Sequence, residues 1–542
     1  MNRFFLSFFF SVFLFSQANG LFCEQSYAAQ KKHPFPAKSC EQSWMNLDPS
    51  DYLFDYSKDV YKTERGNEGY KRFIKRLSDH NLLRSECHKA WTVLIFMAAT
   101  PDLEKYAYAD LLEMESGLKK SLQKTGSTLR TDIVAHFEST SRKEIRRLHM
   151  FQDPAIHLKR LRKNDLAALE INQIHSPLIS ISHSMNSQPI EDRFRKFLKW
   201  GVREFPSEHY LVIIWGHGQG WTASDSTSEH QEGGAIIEGS SDYLNIPTFR
   251  KVLSRVKNLN HEPIDVLAAD SCFMQTVEDT TELNRHVRYI CGSEDTESYA
   301  GFPYQSLIRQ LNSGKFLMAR KQLSLQKEKS GPLFPGARSS LDADEPFLLA
   351  WTLPQLYKKS FSPKGSQAKL DPSMSSHLTG STVLTKNFRN SLLPALDNLG
   401  SALVRYVQES DSNWTKVKVA IEKGHIFQGG TQDLGAFLQR INQVLKEKEA
   451  TEKSLSPIAL QLKKSIEDTF VALNYSVLNT VLGTNYPKFD SGEEIGPKGI
   501  SIWLPRTDEE FQDRAEDFFK SIFYSQCKGW YEWMNTIYLP AT

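Results

Sequence analysis

Two residues that can take part in acyl transfer stand directly after apolar runs of the chain. His217 lies in the run Gly-His-Gly-Gln-Gly (216–220), and Cys272 lies in the run Asp-Ser-Cys (270–272). A thiolate attacks a carbonyl carbon, and an imidazole moves the protons that the reaction requires, an assistance typically worth about 10²–10⁴ in rate. This pair of residue types therefore indicates a cysteine nucleophile with a histidine acid–base partner.

The elements around the two residues predict a fold that brings them together. Short apolar runs, typical of buried strands, occur at residues 91–97, 131–137, 209–215, 264–269 and 287–292. Segments with helical periodicity alternate with them at residues 102–120, 190–205, 246–256 and 272–286. This alternation predicts a mostly parallel sheet covered on both faces, a three-layer α/β/α sandwich of the α/β class. Neighbouring parallel strands end at one edge of the sheet, so His217 and Cys272 are expected within reach of each other.

The helix predicted to start at Cys272 also bears on the chemistry. A helix N-terminus and a nearby imidazolium both lower a thiol pKa, so we expect Cys272 to ionise more readily than a free cysteine. The backbone N–H groups of Gly218 and Cys272 are expected to stabilise the oxyanion, since glycine allows the backbone to approach a ligand closely. Asp270 has two interpretations that the sequence leaves open: it orients His217, or it caps the following helix.

Each residue taken alone also has a simpler interpretation. A lone cysteine in an exported protein is more often a disulfide partner or an inert core thiol, and a histidine between glycines is often a turn residue. From 217 to 272 is a separation of 55 residues, close to the roughly 50 residues between the histidine and the cysteine of caspases. This spacing, together with the shared position at strand ends, favours a catalytic pair.

Several blocks of the sequence resemble the clostripain family of cysteine peptidases, which belongs to the caspase-like fold group. They are Met-Ala-Ala-Thr-Pro-Asp-Leu (97–103), Trp-Gly-His-Gly-Gln-Gly-Trp (215–221), Asp-Ser-Cys-Phe-Met (270–274), Ser-Glu-Asp-Thr-Glu (293–297) and Gly-Phe-Pro-Tyr (301–304). The resemblance covers residues 91–311 well and is looser at 433–437 and 499–505. It implies a Cys272–His217 dyad in an endopeptidase that prefers a basic residue before the scissile bond.

A preference for Arg or Lys needs a carboxylate in the specificity pocket, because an unpaired cation is costly to desolvate. Glu294, Asp295 and Glu297 directly follow the strand predicted at 287–292 and are the candidates. Each acid taken alone is also consistent with a solvated surface charge. The resemblance further implies activation by self-cleavage, and the basic residues at 250–257 are candidate sites for it.

Residues 1–20 predict a secretory signal peptide. Arg3 precedes an apolar run at 4–15, and Ala-Asn-Gly (18–20) supplies small residues at a cleavage point. A membrane anchor is the alternative, but the run is well short of the roughly 20 residues that cross a bilayer. We therefore expect a secreted or periplasmic protein without stable membrane insertion.

The composition limits the partners and cofactors. A formal net charge of +2 over 542 residues gives no strong field to attract nucleic acid. Six cysteines are too sparse for a disulfide framework, and no Cys-x-x-Cys spacing indicates a structural zinc site. The clostripain resemblance implies calcium as a possible cofactor, but the sequence has no EF-hand loop. We therefore assign no metal ligand and expect no required cofactor.

These observations predict a domain organisation and a function. The predicted parts are the signal peptide (1–20), an N-terminal segment that is a pro-segment or a strap (21–90), a caspase-like catalytic domain (91–322), linker and surface loops (323–382) and an α-rich C-terminal domain (383–542). The expected function is hydrolysis of polypeptides by a secreted cysteine endopeptidase. The alternative is a binding or adhesion protein on a peptidase fold that no longer reacts. Retention of both His217 and Cys272 favours the enzyme.

Overall fold

The computed structural model describes residues 89–539, apart from residues 126–128, 152–162, 177, 184, 186–187, 222–235, 238–242, 257–261, 331–342, 428–429, 453 and 487–495. The predicted signal peptide and all but the last two residues of the predicted N-terminal segment lie outside the described residues, as do Cys23, Cys40 and Cys87. The described residues belong to one compact unit, Cys40–Thr542.

The secondary structure alternates strands and helices in the first half and is mainly helical in the second. The strands are β1 (Lys89–Ala99), β2 (Thr131–Ser139), β3 (Glu144–His149), β4 (Leu178–Ser182), β5 (Ser207–Trp215), β6 (Ile236–Ile237), β7 (Tyr243–Leu244), β8 (Ile264–Asp270), β9 (Val287–Gly292), β10 (Thr379–Leu384), β11 (Thr431–Asp433), β12 (Val477–Leu482) and β13 (Ser501–Trp503). The helices are α1 (Glu104–Thr125), α2 (Ile190–Glu204), α3 (Ile246–Leu253), α4 (Val277–Leu283), α5 (Tyr304–Ser313), α6 (Leu317–Ser330), α7 (Glu345–Ser360), α8 (Met374–His377), α9 (Thr385–Asn387), α10 (Leu393–Gln408), α11 (Asp411–Glu422), α12 (Leu434–Glu452), α13 (Pro457–Ser476), α14 (Asp508–Lys520), α15 (Ile522–Gln526) and α16 (Lys528–Tyr538).

A single large sheet organises these elements. It has nine strands in the order β12-β10-β9-β8-β5-β1-β2-β3-β4. The five central strands, from β9 to β2, are parallel, and the strands at both ends pair in antiparallel fashion. The five central strands are the five that the apolar runs predict, so the predicted α/β class with a mostly parallel sheet is confirmed.

Alternating side chains of the central strands enter two apolar layers, one on each face of the sheet. In β1, Leu94 and Phe96 belong to one layer, and Val93 and Ile95 belong to the other. Helices α2, α3 and α4 cover the first layer, and α1, α5 and α7 cover the second. Since successive residues of a strand point to opposite faces, a strand covered on both sides needs a continuous apolar run.

The C-terminal region is mostly helical, and it also contributes strands to the main sheet. Helices α10, α12, α13 and α16 share the apolar layer of α2, while β10 and β12 extend the sheet beyond β9. The segment 323–382, predicted as linker and surface loops, contains part of α6, all of α7 and most of β10. Strand β10 was not predicted from the sequence, because several of its residues are polar. Their side chains form hydrogen bonds inside the fold, as Thr382 Oγ1 does when it donates to the carbonyl of Ala350 at 2.7 Å. The predicted domain limits stay predictions.

Glu278 connects α4 to strand β13 of the C-terminal region. Its side chain is buried, and its Oε1 accepts a hydrogen bond from the backbone N–H of Trp503 at 3.0 Å. Burial raises the pKa of Glu278 from its ordinary value of 4.5 to about 7. Because the folded protein then holds this proton more tightly than the unfolded chain, the stability associated with Glu278 falls as pH rises from 4.5 through 7.

We expect Glu278→Gln to remove part of the pH dependence of stability. Glutamine keeps an oxygen acceptor for Trp503 but carries no charge, so a loss of about 3 kcal/mol on raising the pH should disappear. Urea unfolding near pH 5 and near pH 8 measures this loss in the wild type, in Glu278→Gln and in the exposed control Glu509→Gln. The same pH dependence in the wild type and in Glu278→Gln would contradict the raised pKa.

Candidate active site

The loops that carry His217 and Cys272 start side by side at one edge of the sheet. β5 and β8 are parallel neighbours, and Trp215 pairs with Asp270 at the last residue of each strand. The backbone N–H of Gly216 then donates to the carbonyl of Asp270 at 3.3 Å. His217 and Cys272 each lie two residues beyond the Trp215–Asp270 pair, on adjoining loops at the carboxyl edge.

Gly218 brings the two loops into direct contact. A Cβ atom added to Gly218 would lie 2.1 Å from Ser271 Oγ and 2.7 Å from the carbonyl oxygen of Cys272. No side chain fits in that space, so glycine is required by the close approach of the backbones. The backbone next to His217 therefore packs on the backbone at Cys272.

Cys272 is a free, half-buried thiol. Its Sγ accepts a hydrogen bond from the backbone N–H of Glu297 at 3.1 Å. Burial raises the pKa of the Cys272 thiol to about 12, and the charges of Glu297, Asp295 and Asp270 act in the same direction, against the hydrogen bond from Glu297. The resting thiol is therefore protonated at neutral pH.

The prediction that Cys272 begins a helix is wrong. Helix α4 starts at Val277, and its N-cap is Thr276, whose side chain accepts from the backbone N–H of Asp279. Phe273 has a left-handed backbone with φ of +60°, and its N–H donates to the carbonyl of Asp295 at 3.3 Å. Because the chain after Cys272 first pairs with the loop after β9, the helix dipole does not act on the sulfur.

His217 has a partner that the sequence did not reveal, Asp102. The two side chains meet at 3.0 Å between His217 Nε2 and Asp102 Oδ2. Burial tends to raise the pKa of Asp102, but a hydrogen bond from Thr100 and the charge of His217 outweigh it and hold that pKa below its usual value. The available signal was the position of Asp102 just after β1, the other neighbour of β5 in the sheet.

Asp270 contacts neither of its two predicted partners. Its Oδ2 accepts hydrogen bonds from Tyr304 Oη at 2.7 Å and from the backbone N–H of Phe302 at 3.1 Å. The cap of α4 is Thr276, and the partner of His217 is Asp102. The carboxyl of Asp270 thus turns into the protein, behind Cys272, and both earlier interpretations are corrected.

Asp270 belongs to a buried acid cluster formed by Asp110, Glu113, Asp270 and Glu297. Burial raises the pKa of all four, to about 6 for Asp270 and about 7 for Glu113. A Cβ atom added to Gly301 would lie 2.9 Å from Asp270 Oδ2 and 3.0 Å from Asp110 Oδ2, so these two carboxyls flank one point. Within the described part of the chain, no Lys or Arg forms an ion pair with the acid cluster.

The three acids predicted for a specificity pocket separate in the structure. Glu297 is next to Cys272 and belongs to the acid cluster. Glu294 is fully buried, and burial and the charge of Asp433 on β11 raise its pKa well above the ordinary range. Asp295 is half-buried, and its Oδ2 accepts from Tyr486 Oη at 2.8 Å. Glu297 is therefore the residue of this set whose backbone N–H contacts the sulfur.

Metal ligands and membrane-spanning helices are the two remaining features that bear on the site. Among the described residues, no group of three or more His, Cys, Asp or Glu side chains is arranged to hold a metal ion. None of the helices described combines the length and apolar character needed to cross a bilayer. The basic residues 250–256 are described, whereas the preceding polar stretch 224–234 lies outside the described residues.

A thiol and an imidazole on adjoining loops, at the carboxyl edge of the sheet, are the two groups that a cysteine peptidase requires. Residues 95–336 match the family model of peptidase C11, the clostripain family. The predicted resemblance is therefore confirmed: these residues form a clostripain-family domain, and the chain is a cysteine peptidase, a hydrolase.

One solved structure supports the fold. The chain is similar to an inactive zymogen C11 protease from Parabacteroides distasonis, with a TM-score of 0.50 and 14% identity, covering 81% of this chain and 98% of that one. It is also similar to a secreted C11 cysteine protease from Bacteroides thetaiotaomicron in complex with an irreversible peptide inhibitor, with a TM-score of 0.48, 15% identity and coverage of 81% and 99%. No curated protein is significantly similar to the chain.

We expect Gly218→Ala to destabilise the protein by about 1–3 kcal/mol, because the new methyl group forces the two loops apart. Adding Ser271→Ala removes the nearest clash but leaves the one with the Cys272 carbonyl, so the double variant should recover only part of the loss. Urea unfolding measures both, with Ser271→Ala alone as the control. A Gly218→Ala variant as stable as the wild type would show that the loops are farther apart than described.

Proposed function

We propose that the chain is an exported endopeptidase that hydrolyses polypeptides after Arg or Lys through Cys272 and His217. The observation that carries the proposal is the contact of the two loops directly in front of the acid cluster, with which no described Lys or Arg forms an ion pair. A thiol and an imidazole supply the chemistry of acyl transfer, and the acid cluster supplies a site for a positively charged side chain. Export rests on the predicted signal peptide at residues 1–20.

The protonated resting thiol indicates that His217 acts first as a general base. The proton moves from Cys272 Sγ to His217 as the sulfur attacks, the S–C bond forms, and the carbonyl oxygen takes the negative charge. His217 then gives this proton to the leaving amine as the C–N bond breaks. Water, deprotonated by His217, hydrolyses the acyl-enzyme and restores the thiol.

Two backbone N–H groups are proposed to stabilise the oxyanion, those of Gly218 and Cys272. No group in the described part of the chain accepts a hydrogen bond from either of them. The absence of a side chain at Gly218 leaves its amide open to a bound carbonyl, and Gly218 packs closely on Ser271 and on the carbonyl of Cys272. Each such donor is commonly worth about 10²–10³ in rate.

Asp102 is proposed as the positioning residue for His217. A carboxylate at Nε2 holds the proton of the neutral ring on that nitrogen and leaves Nδ1 as the acceptor for the proton of the thiol. It also stabilises the imidazolium that forms during the attack. The side chain of Asp102 is 58% exposed, so solvent screens this interaction and its contribution is modest.

Basic specificity is proposed to come from Asp270 and Glu297. Both are in the acid cluster behind Cys272, and their raised pKa values reflect the burial of negative charge without a counter-charge. A guanidinium or ammonium group entering this site would supply that charge and avoid the cost of its own unpaired burial. Among the three acids predicted from the sequence, the contacts favour Glu297 over Glu294 and Asp295.

The main test is irreversible labelling by a peptidyl chloromethyl ketone that ends in Arg, compared with one that ends in Leu. We expect the Arg reagent to modify the wild type at Cys272 at least tenfold faster, and to leave Cys272→Ala and His217→Ala unmodified at this position. Cys291→Ala is the matched control, because Cys291 is a second buried free thiol and its loss should not change labelling. A folded wild type whose Cys272 does not react would favour the inactive binding protein.

We expect Asp102→Asn to lower kcat/KM about tenfold near pH 7, a loss of roughly 1.4 kcal/mol in the transition state. Without the carboxylate, the imidazolium that forms during the attack loses its counter-charge, so the loss should fall on kcat rather than on KM, and the shape of the pH–rate profile should change. A purely structural role would lower the rate without changing the shape of this profile. The exposed Asp513→Asn is the control, and an unchanged profile in Asp102→Asn would exclude the positioning role.

A further inference from the structure

A cavity lies between α1, α5, α6, α7 and the loop that follows α7, and neither Cys272 nor His217 lines it. Its volume is about 590 Å³, within the range of about 300–1,000 Å³ that is typical of small-molecule sites. Five basic side chains line it: Lys120, Arg309, Lys315, Lys359 and Lys364. Glu113 is the one carboxyl group among its described lining residues.

The basic residues approach the cavity from separate elements and have no acidic partners. Lys120 is on α1, Arg309 on α5 and Lys359 near the end of α7, and none of the five forms an ion pair within the described residues. Lys120 Nζ donates instead to the amide oxygen of Gln305 at 2.8 Å. Burial and the charge of Arg309 lower the pKa of Lys120. Five like charges thus surround one cavity at exposed positions, and within the described residues none of them is held in an ion pair.

Glu113 does not provide the missing negative charge. Its carboxyl is buried at the floor of the cavity and accepts hydrogen bonds from Gln367 Nε2 at 3.2 Å and from the backbone N–H of Gln305 at 3.4 Å. Burial raises the pKa of Glu113 to about 7. The described lining therefore has five basic side chains against one carboxyl group, and the raised pKa of that group favours its neutral form.

We propose that this cavity binds a small molecule that carries at least two phosphate or sulfate groups. Lysine and arginine are the side chains that bind such groups, and charge-assisted hydrogen bonds to them are about twice as strong as neutral ones. Because the cations lie on several walls, a single phosphate cannot contact them all, whereas a ligand with two or more anionic groups can. The site does not depend on the proposed peptidase function.

The test is calorimetric titration of the full chain carrying Cys272→Ala, which removes the nucleophile, at about 0.15 M salt. Sodium tripolyphosphate and a trisulfated disaccharide are the two probes. In the variant Arg309→Glu/Lys359→Glu we expect the Kd of the tighter probe to rise at least tenfold. The control Lys358→Glu/Lys369→Glu changes the net charge equally at exposed lysines outside the cavity, and its Kd should stay within about twofold.

Far-UV circular dichroism and thermal unfolding without ligand check that each variant folds. Should the charge reversal fail to fold, Lys120→Gln/Lys364→Gln removes two of the charges without reversing them and should still weaken binding at least threefold. Tighter binding of one probe identifies phosphate or sulfate as the chemical class. No binding of either probe below about 1 mM, or equal weakening in the cavity variant and the control, would overturn the proposal.

Discussion

The parallel pairing of β5 with β8 is the constraint on which the candidate active site depends. The pairing puts Trp215 opposite Asp270 and ends both strands at the same level of the sheet. The residues that follow Trp215 and Asp270 form two loops, and Gly218 has no side chain to keep these two loops apart. A shift of one residue in this register would turn every side chain of β5 or β8 to the opposite face and separate the histidine from the cysteine.

The clustering of groups with the same sign of charge is the second common feature of the described residues. The acid cluster behind Cys272 raises the pKa of its own carboxyls and adds to the burial that keeps the thiol protonated. A basic side chain bound at this point would favour the ionised form of the carboxyls. It would also offset their negative charge near the sulfur. The cavity near Lys120 and Arg309 presents the opposite sign. The two sites therefore differ in the ligands that they can accept.

The C-terminal region helps to hold the loop that faces the nucleophile. Thr379, the first residue of β10, accepts hydrogen bonds at its Oγ1 from the backbone N–H groups of Glu294 and Asp295 at 3.1 and 3.2 Å. Two residues after Asp295 in this loop, the backbone N–H of Glu297 donates a hydrogen bond to Cys272 Sγ. The Trp503–Glu278 hydrogen bond anchors the same region to α4. The helical half of the chain thus contributes to the geometry at the sulfur, although it carries no residue of the proposed dyad.

The sequence alone determined the five central strands and their parallel arrangement, because a strand buried on both faces needs an unbroken apolar run. It also identified His217 and Cys272, since both directly follow such runs. Only the tertiary structure decided the partners: Asp102 for His217, Glu297 for Cys272, and Tyr304 for Asp270. These contacts join positions from 25 to 115 residues apart. The sequence did not predict β10 for the same reason, because its polar side chains form hydrogen bonds with groups that are distant in the sequence. No local pattern encodes such pairings, because they arise only when the packed sheet brings the loops together.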